Sequence, residues 1–228
     1  MVIFTMTLSD KAPAQEPLSG PLFWRLAQGT DRLHEKLDAQ LRDRLSISIV
    51  NIDDAHTFLR RFDQTIGDRR RARPIPSLDA IPIELEIRIP GYAPDYFFET
   101  GFHFVSARFR TAANFPDDAV QYLDAPCTRC TPEAKAKDYK VLWVHHFEDV
   151  LDRERSVILP ADSYPERSSY VFREDVAVTA PVFQLGLYLA VMLTDATARR
   201  LAAEHLDGVA FQDITRYSPE GPFVTMGD

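Results

Sequence analysis

The chain has 228 residues, 45% of them apolar, enough for a real hydrophobic core, so disorder is excluded as the default. A net charge of −8 argues against nucleic acid as the main partner, since phosphate binding takes a basic face, and makes a basic protein the natural partner. No apolar run approaches the ~20 residues of a bilayer span. The opening Met1 to Ser9 lacks the cationic start and long apolar region of a signal peptide, so a cytoplasmic chain with no membrane partner is expected.

Residues 1–20 show little periodicity, which predicts a short strand at most and then a loose connection. Pro21 to Ala27 is compact and aromatic. From Thr30 the pattern turns helical: Leu33, Leu37 and Leu41, extended by Leu45, recur every four residues, with Thr30 or Asp31 placed to cap the first turn. Ile47 and Ile49 then alternate with Ser46 and Ser48 as a strand, and Asp53 opens a second helix through Phe58, Leu59 and Phe62. Arg69, Arg70, Arg71 and Arg73 read as a solvated charged loop rather than an anion or nucleic-acid patch, and prolines 74, 76 and 82 make the following segment extended and peripheral. A boundary near residue 75 follows, separating an N-terminal part (1–75) from an α+β part (76–228), unless 1–228 is one continuous domain.

Ile83, Leu85, Ile87 and Ile89 supply an alternating strand face. Tyr92, Tyr96, Phe97, Phe98, Phe102 and Phe104 crowd together; most belong to a core, with Tyr92 or Tyr96 the candidates for exposed binding anchors. Phe102 to Val105 reads as a strand, Ser106 as an N-cap, then a helix through Phe109 and Ala113 and a returning strand at Val120 to Leu123. The plan recurs with Val191 to Leu193, the cap Thr194, a helix from Ala196 to His205, the stop Asp207-Gly208, and Val209 to Ile214. Either a repeated unit or chance similarity of short segments accounts for the match.

Between these units Tyr139 to Phe147 carries apolar residues on both faces: Tyr139, Val141 and Trp143 on one, Leu142 and Val144 on the other. That makes it a central strand, which then delivers the charged run Glu148, Asp149, Asp152, Arg153, Glu154 and Arg155 to the sheet's rim. The expected fold is α+β, one continuous mixed sheet around this strand with short helices packed on it and a helix-rich N-terminal part.

Few residues point to chemistry. Cys127 and Cys130 have the spacing of half a zinc site or of a redox pair, but no second pair accompanies them, and a simple reduced loop is the favoured reading. His145 and His146, with Glu148, Asp149 and Asp152, invite a metal-dependent hydrolase. The ordinary alternative puts one histidine in the core and the other against rim carboxylates, with Asp152 and Ser156 holding a turn. No phosphate-binding glycine loop and no HExxH motif occurs. No cofactor or metal is called for, and Asp149, Asp152, Glu154 and Arg155 are the candidate partner contacts.

One set of stretches, taken in order, carries a resemblance. Pro94-Asp95-Tyr96-Phe97 is followed by Val105-Ser106 with Phe109, then Tyr139 leading into Val150-Leu151-Asp152 and Ser156. Pro181 to Leu185, Thr194-Asp195 and Leu206 to Phe211 complete the set. The order resembles the bacterial polymorphic-toxin immunity proteins of the immunity-protein-11 family over roughly Ile87 to Ile214. The resemblance implies a non-enzymatic protein that holds a cognate toxin inactive in the producing cell by tight binding; net acidity suits a basic toxin.

Overall fold

The computed structural model describes residues 23–28, 47–65, 74, 83–88, 93–156, 171–184, 191–213 and 225–226. Along the chain come β1 (Phe23–Gln28), β2 (Ile47–Ile49), α1 (Ile52–Thr65), β3 (Leu85–Ile87), β4 (Tyr96–Glu99) and β5 (Phe102–Val105). Then follow α2 (Ala107–Ala113), β6 (Val120–Asp124), β7 (Cys127–Cys130), α3 (Pro132–Ala136) and β8 (Lys140–Val144). The last part holds β9 (Val182–Gln184), β10 (Val191–Thr194), α4 (Asp195–Ala203), β11 (Val209–Asp213) and β12 (Thr225–Met226). The class is α+β, with mixed sheets and short helices. The Leu33 to Leu45 helix, the Arg69 to Arg73 loop, Ile89 and Tyr92 fall outside the described residues.

Instead of the one continuous sheet expected, the described residues form three: β12-β11-β1-β10-β9, β4-β5-β8-β6 and β2-β3-β7. All pairings are antiparallel except β3 with β7. The break has a local cause. Strand β8 is flanked on both sides, Val105 to His103 facing Lys140 to Leu142 and Val120 facing Val144. Both neighbours run out there, so the chain beyond Val144 turns to the edge of β9. Phe147 bridges Gln184, whose amide donates to the His146 carbonyl at 2.9 Å while the Glu148 amide donates to the Gln184 carbonyl at 3.2 Å.

The two faces of β8 divide the core as the alternation predicts. Tyr139, Val141 and Trp143 pack with Ile49, Phe58, Leu85 and Phe104, while Leu142 and Val144 pack with Phe109, Val182, Leu193, Leu201 and Phe211. Each large apolar side chain so buried contributes about 1.5–3 kcal/mol of transfer free energy. The first cluster joins residues 49–58 to residues 83–143 in one apolar interior.

The two units of matching length are real and share a plan. In each, two strands run parallel, joined by a helix, with an antiparallel strand inserted between them: β8 between β5 and β6, and β1 between β10 and β11. This is the split β-α-β arrangement. Each unit also carries one more antiparallel strand on the same side, β4 beside β5 and β9 beside β10. Ser106 starts α2 as predicted, its hydroxyl accepting from the Phe109 amide at 3.0 Å, and Asn114 ends it at φ 41°. Thr194 occupies the corresponding N-cap position but makes no side-chain cap; its hydroxyl meets that of Thr197 at 3.0 Å.

The helices of the two units pack together through Phe109, Ala113, Ala198 and Leu201. Each also closes the other's carboxyl end. Arg108 of α2 donates to the Glu204 carbonyl at 2.6 Å, and Arg200 of α4 donates to the carbonyls of Ala112 and Ala113, the latter at 2.8 Å. These carbonyls lack partners within their own helices, and a cation at that end complements the helix dipole.

Candidate functional site

Two polar regions stand out, one buried and one open. The buried one centres on Asp95, fully buried just before β4. Its Oδ1 accepts from Ser106 Oγ at 2.7 Å and Lys137 Nζ at 2.8 Å; its Oδ2 accepts from the Asp207 amide at 3.1 Å and Arg108 Nη1 at 3.2 Å. Its backbone is equally engaged: the Asp95 amide donates to the Asp207 carbonyl at 2.7 Å, and its carbonyl accepts from the Ser106 amide at 2.9 Å. Burial pushes the carboxyl's pKa up, but the bonds from Lys137, Ser106 and the Asp207 amide, with the charge of Lys137, outweigh it and hold the group below its ordinary value of 3.8.

With two donors on each oxygen, this carboxylate is saturated. It is a tie rather than a reactive group. Four segments meet on it: the entry to β4, the start of α2, the residue closing α3, and the turn after α4. The last approach is possible because Gly208 has no side chain, its φ being 78° and the Tyr96 carbonyl lying directly over it. Tyr139 adds a further bond, its hydroxyl donating to the Pro94 carbonyl at 2.6 Å. The stretches around Pro94-Asp95-Tyr96, Ser106, Phe109, Tyr139 and Asp207-Gly208, scattered in sequence, thus converge in space. Nothing in the local sequence marks Asp95 as buried, because its partners arrive from residues 106, 108, 137 and 207.

The open region is the charged turn at the end of the β8 segment. Asp152 Oδ1 accepts from the amides of Glu154 and Arg155, both at 3.1 Å, and the Asp152 carbonyl accepts from the Ser156 amide at 2.9 Å. This is the Asp152 and Ser156 turn the sequence predicts. Ser156 Oγ accepts from the Val171 amide at 2.9 Å and donates to its carbonyl at 3.2 Å, and Leu151 bridges Phe172. Val150 and Leu151 anchor the turn against Phe183 and Met192.

The two segments bound an open cleft of about 520 Å³ lined by Asp149, Asp152, Arg153, Arg155, Arg173 and Asp175, among others. Six of its charges are paired: Arg153 with Asp149 at 3.2 Å, Arg155 with Asp152 at 3.8 Å, and Arg173 with Asp175 at 2.8 Å. The bond from Arg173 lowers the Asp175 pKa, and that from Asp175 raises the Arg173 pKa. Three of the four candidate contacts, Asp149, Asp152 and Arg155, line this cleft, and Glu154 lies on the same exposed turn. Sequence reasoning missed the other wall, Phe172 to Asp175.

The remaining candidates resolve differently. His146 Nε2 lies 2.9 Å from Glu148 Oε1, the rim pairing expected, while His145 is half-buried rather than a core residue because β8 ends at Val144. Among the described residues no group of three or more His, Cys, Asp or Glu side chains is placed to hold a metal ion, so His145, His146 and Asp152 do not form a ligand set. Tyr96 is buried, its hydroxyl 2.9 Å from His103 Nδ1, and so is no surface anchor; among the described residues Phe98, 42% exposed, is the large apolar side chain at the surface. Cys127 and Cys130 are not a reduced loop but a disulfide, their Cα atoms 5.3 Å apart, within bridging range. The strand they belong to bulges between its contacts with Leu85 and Glu86, which brings the two residues that close. No described helix is long and apolar enough to cross a membrane.

Comparison with known proteins adds no relative: no protein-family model matches the chain, and no curated protein matches it significantly.

Proposed function

We propose that this protein is an immunity protein, a non-enzymatic inhibitor that binds and neutralises a cognate bacterial toxin in the cytoplasm. The observation that carries the reading is the convergence on Asp95 of Pro94 to Tyr96, Ser106, Phe109, Tyr139 and Asp207-Gly208, the stretches on which the resemblance to the immunity-protein-11 family rests. Residues that act as one packed unit keep their order and spacing for a physical reason. Their agreement with the family order therefore supports a shared scaffold rather than a coincidence of short words.

On such a scaffold, inhibition needs only a preformed complementary surface. The cleft bounded by Asp149 to Arg155 and Phe172 to Asp175 is rigidly seated by Val150, Leu151 and Ser156, and its turn exposes Asp149 and Glu154. A basic toxin face meeting Asp149, Asp152, Glu154 and Arg155 would exchange internal ion pairs for intermolecular ones, while the net charge of −8 speeds encounter.

The test is co-expression with the product of the neighbouring gene. Rescue of growth together with co-purification of the pair is the expected result; a pair that neither rescues nor co-purifies refutes the immunity reading. A hydrolytic turnover lost on changing His145 or His146 would instead favour a metal-dependent hydrolase.

A further inference from the structure

We propose that the Cys127–Cys130 bridge is a reversible thiol–disulfide exchange site, entered at Cys127 by a small anionic monothiol of the glutathione type. The bridge closes a ring over the four residues of β7, just before α3. Closing so short a loop removes little chain entropy, so the bond is a weak staple and the fold does not depend on it. Both redox forms also fit the same site. Once the bond opens, the Cys127 thiol has the Ala134 carbonyl oxygen 3.9 Å away and the Cys130 thiol has that of Leu85 at 3.5 Å, so neither new donor lacks an acceptor.

Both cysteines are half-buried, but their surroundings differ. Cys127 lines an open pocket of about 320 Å³ with Asp124, Lys135, Asp138, Tyr139 and Lys140, and Cys130 does not. The pocket is the size of a small-ligand site. Within it Lys140 is paired with Asp124 at 2.6 Å, and Asp138 is engaged by Arg110. Lys135 makes no ion pair among the described residues, which leaves its ammonium for the carboxylates of an incoming tripeptide thiol.

The exchange is balanced in two steps. A thiolate attacks Cys127 Sγ, the sulfur–sulfur bond breaks, and its electron pair leaves on Cys130 Sγ, which takes a proton from solvent; Cys127 now carries a mixed disulfide. A second thiolate attacks the small-molecule sulfur, releasing the Cys127 thiolate and one molecule of the oxidised disulfide dimer. Two thiols are oxidised and one protein disulfide is reduced, and oxidised glutathione drives the reverse.

The experiment uses the full chain in a series of reduced-to-oxidised glutathione ratios, quenched by acid, alkylated and read by mass spectrometry. The bridged fraction should fall and recover across the series. Cys130→Ser should take up one glutathione at Cys127 about tenfold faster than Cys127→Ser takes it up at Cys130, and Lys135→Ala should slow the first reaction severalfold. Peptide mapping of the wild-type chain quenched part-way through reduction locates the adduct without relying on any variant. A bridge that never opens, thiols that never close, or an adduct found mainly on Cys130 overturns the proposal.

Discussion

The Cα of Gly208 sits beneath the carbonyl oxygen of Tyr96 so closely that a methyl group there would collide with it, and would also come within 2.8 Å of the Pro94 Cβ. The backbone at Gly208 is left-handed, φ 78°, so any side chain meets both a torsional and a steric penalty. Gly208→Ala should therefore cost about 3 kcal/mol of stability in urea denaturation. A loss below about 0.5 kcal/mol would show that the turn yields easily.

Asp95→Asn keeps the shape of the hub but removes the charge that Lys137 and Arg108 compensate. The expected loss is about 2–4 kcal/mol, because two cations lose their counter-charge and both hydrogens of the new amide group are forced against existing donors.

The same carboxyl predicts a pH signature. Its folded pKa lies below 3.8, so on acidification the unfolded chain takes up the proton first, and the stability Asp95 supplies is whole above that value and lost as pH falls through the lower folded one. The stability gap between the wild-type chain and Asp95→Asn should be flat from about pH 5 to 7 and narrow below about pH 4. A gap that widens on acidification would contradict the placement of the donors.

The crossed arginine caps predict unequal losses. Arg108 serves both Asp95 and the Glu204 carbonyl, whereas Arg200, among the described residues, serves carbonyls alone. Arg108→Ala should cost about 2 kcal/mol and Arg200→Ala about 1 kcal/mol, read by thermal or chemical denaturation.

At the cleft, charge and fold should separate. Asp149→Lys with Glu154→Lys reverses two exposed groups and should leave stability within about 0.5 kcal/mol while slowing association with a basic toxin about tenfold at low salt, as surface plasmon resonance would read. Asp152→Ala removes the acceptor of the Glu154 and Arg155 amides and should cost about 1 kcal/mol. An unchanged association rate for the double reversal would move the binding face elsewhere.

Local pattern carried much of the architecture. Alternation over Tyr139 to Val144 placed β8 between two cores because side chains on a strand face opposite ways whatever lies around them. Ser106 and Asn114 bracket α2 through bonds within a few residues. What escaped was decided at a distance. Phe23 to Gln28 is too short to declare itself a strand without β10 and β11, and β7 with α3 interrupts a stretch whose Pro, Cys and Lys content reads as loop. Of the site, the Asp152 turn was legible because its hydrogen bonds are local, while its facing wall at Phe172 to Asp175 is brought in by a return of the chain.

The insertion of β1 between two late strands sets the order of assembly. A ribosome extrudes Phe23 to Gln28 long before either of its neighbours exists, so this strand waits for Val191 to Asp213 before both of its edges can be paired. Closure of its sheet follows the synthesis of the late strands, and a nascent chain stalled before Val191 would present an open strand to chaperones and proteases alike.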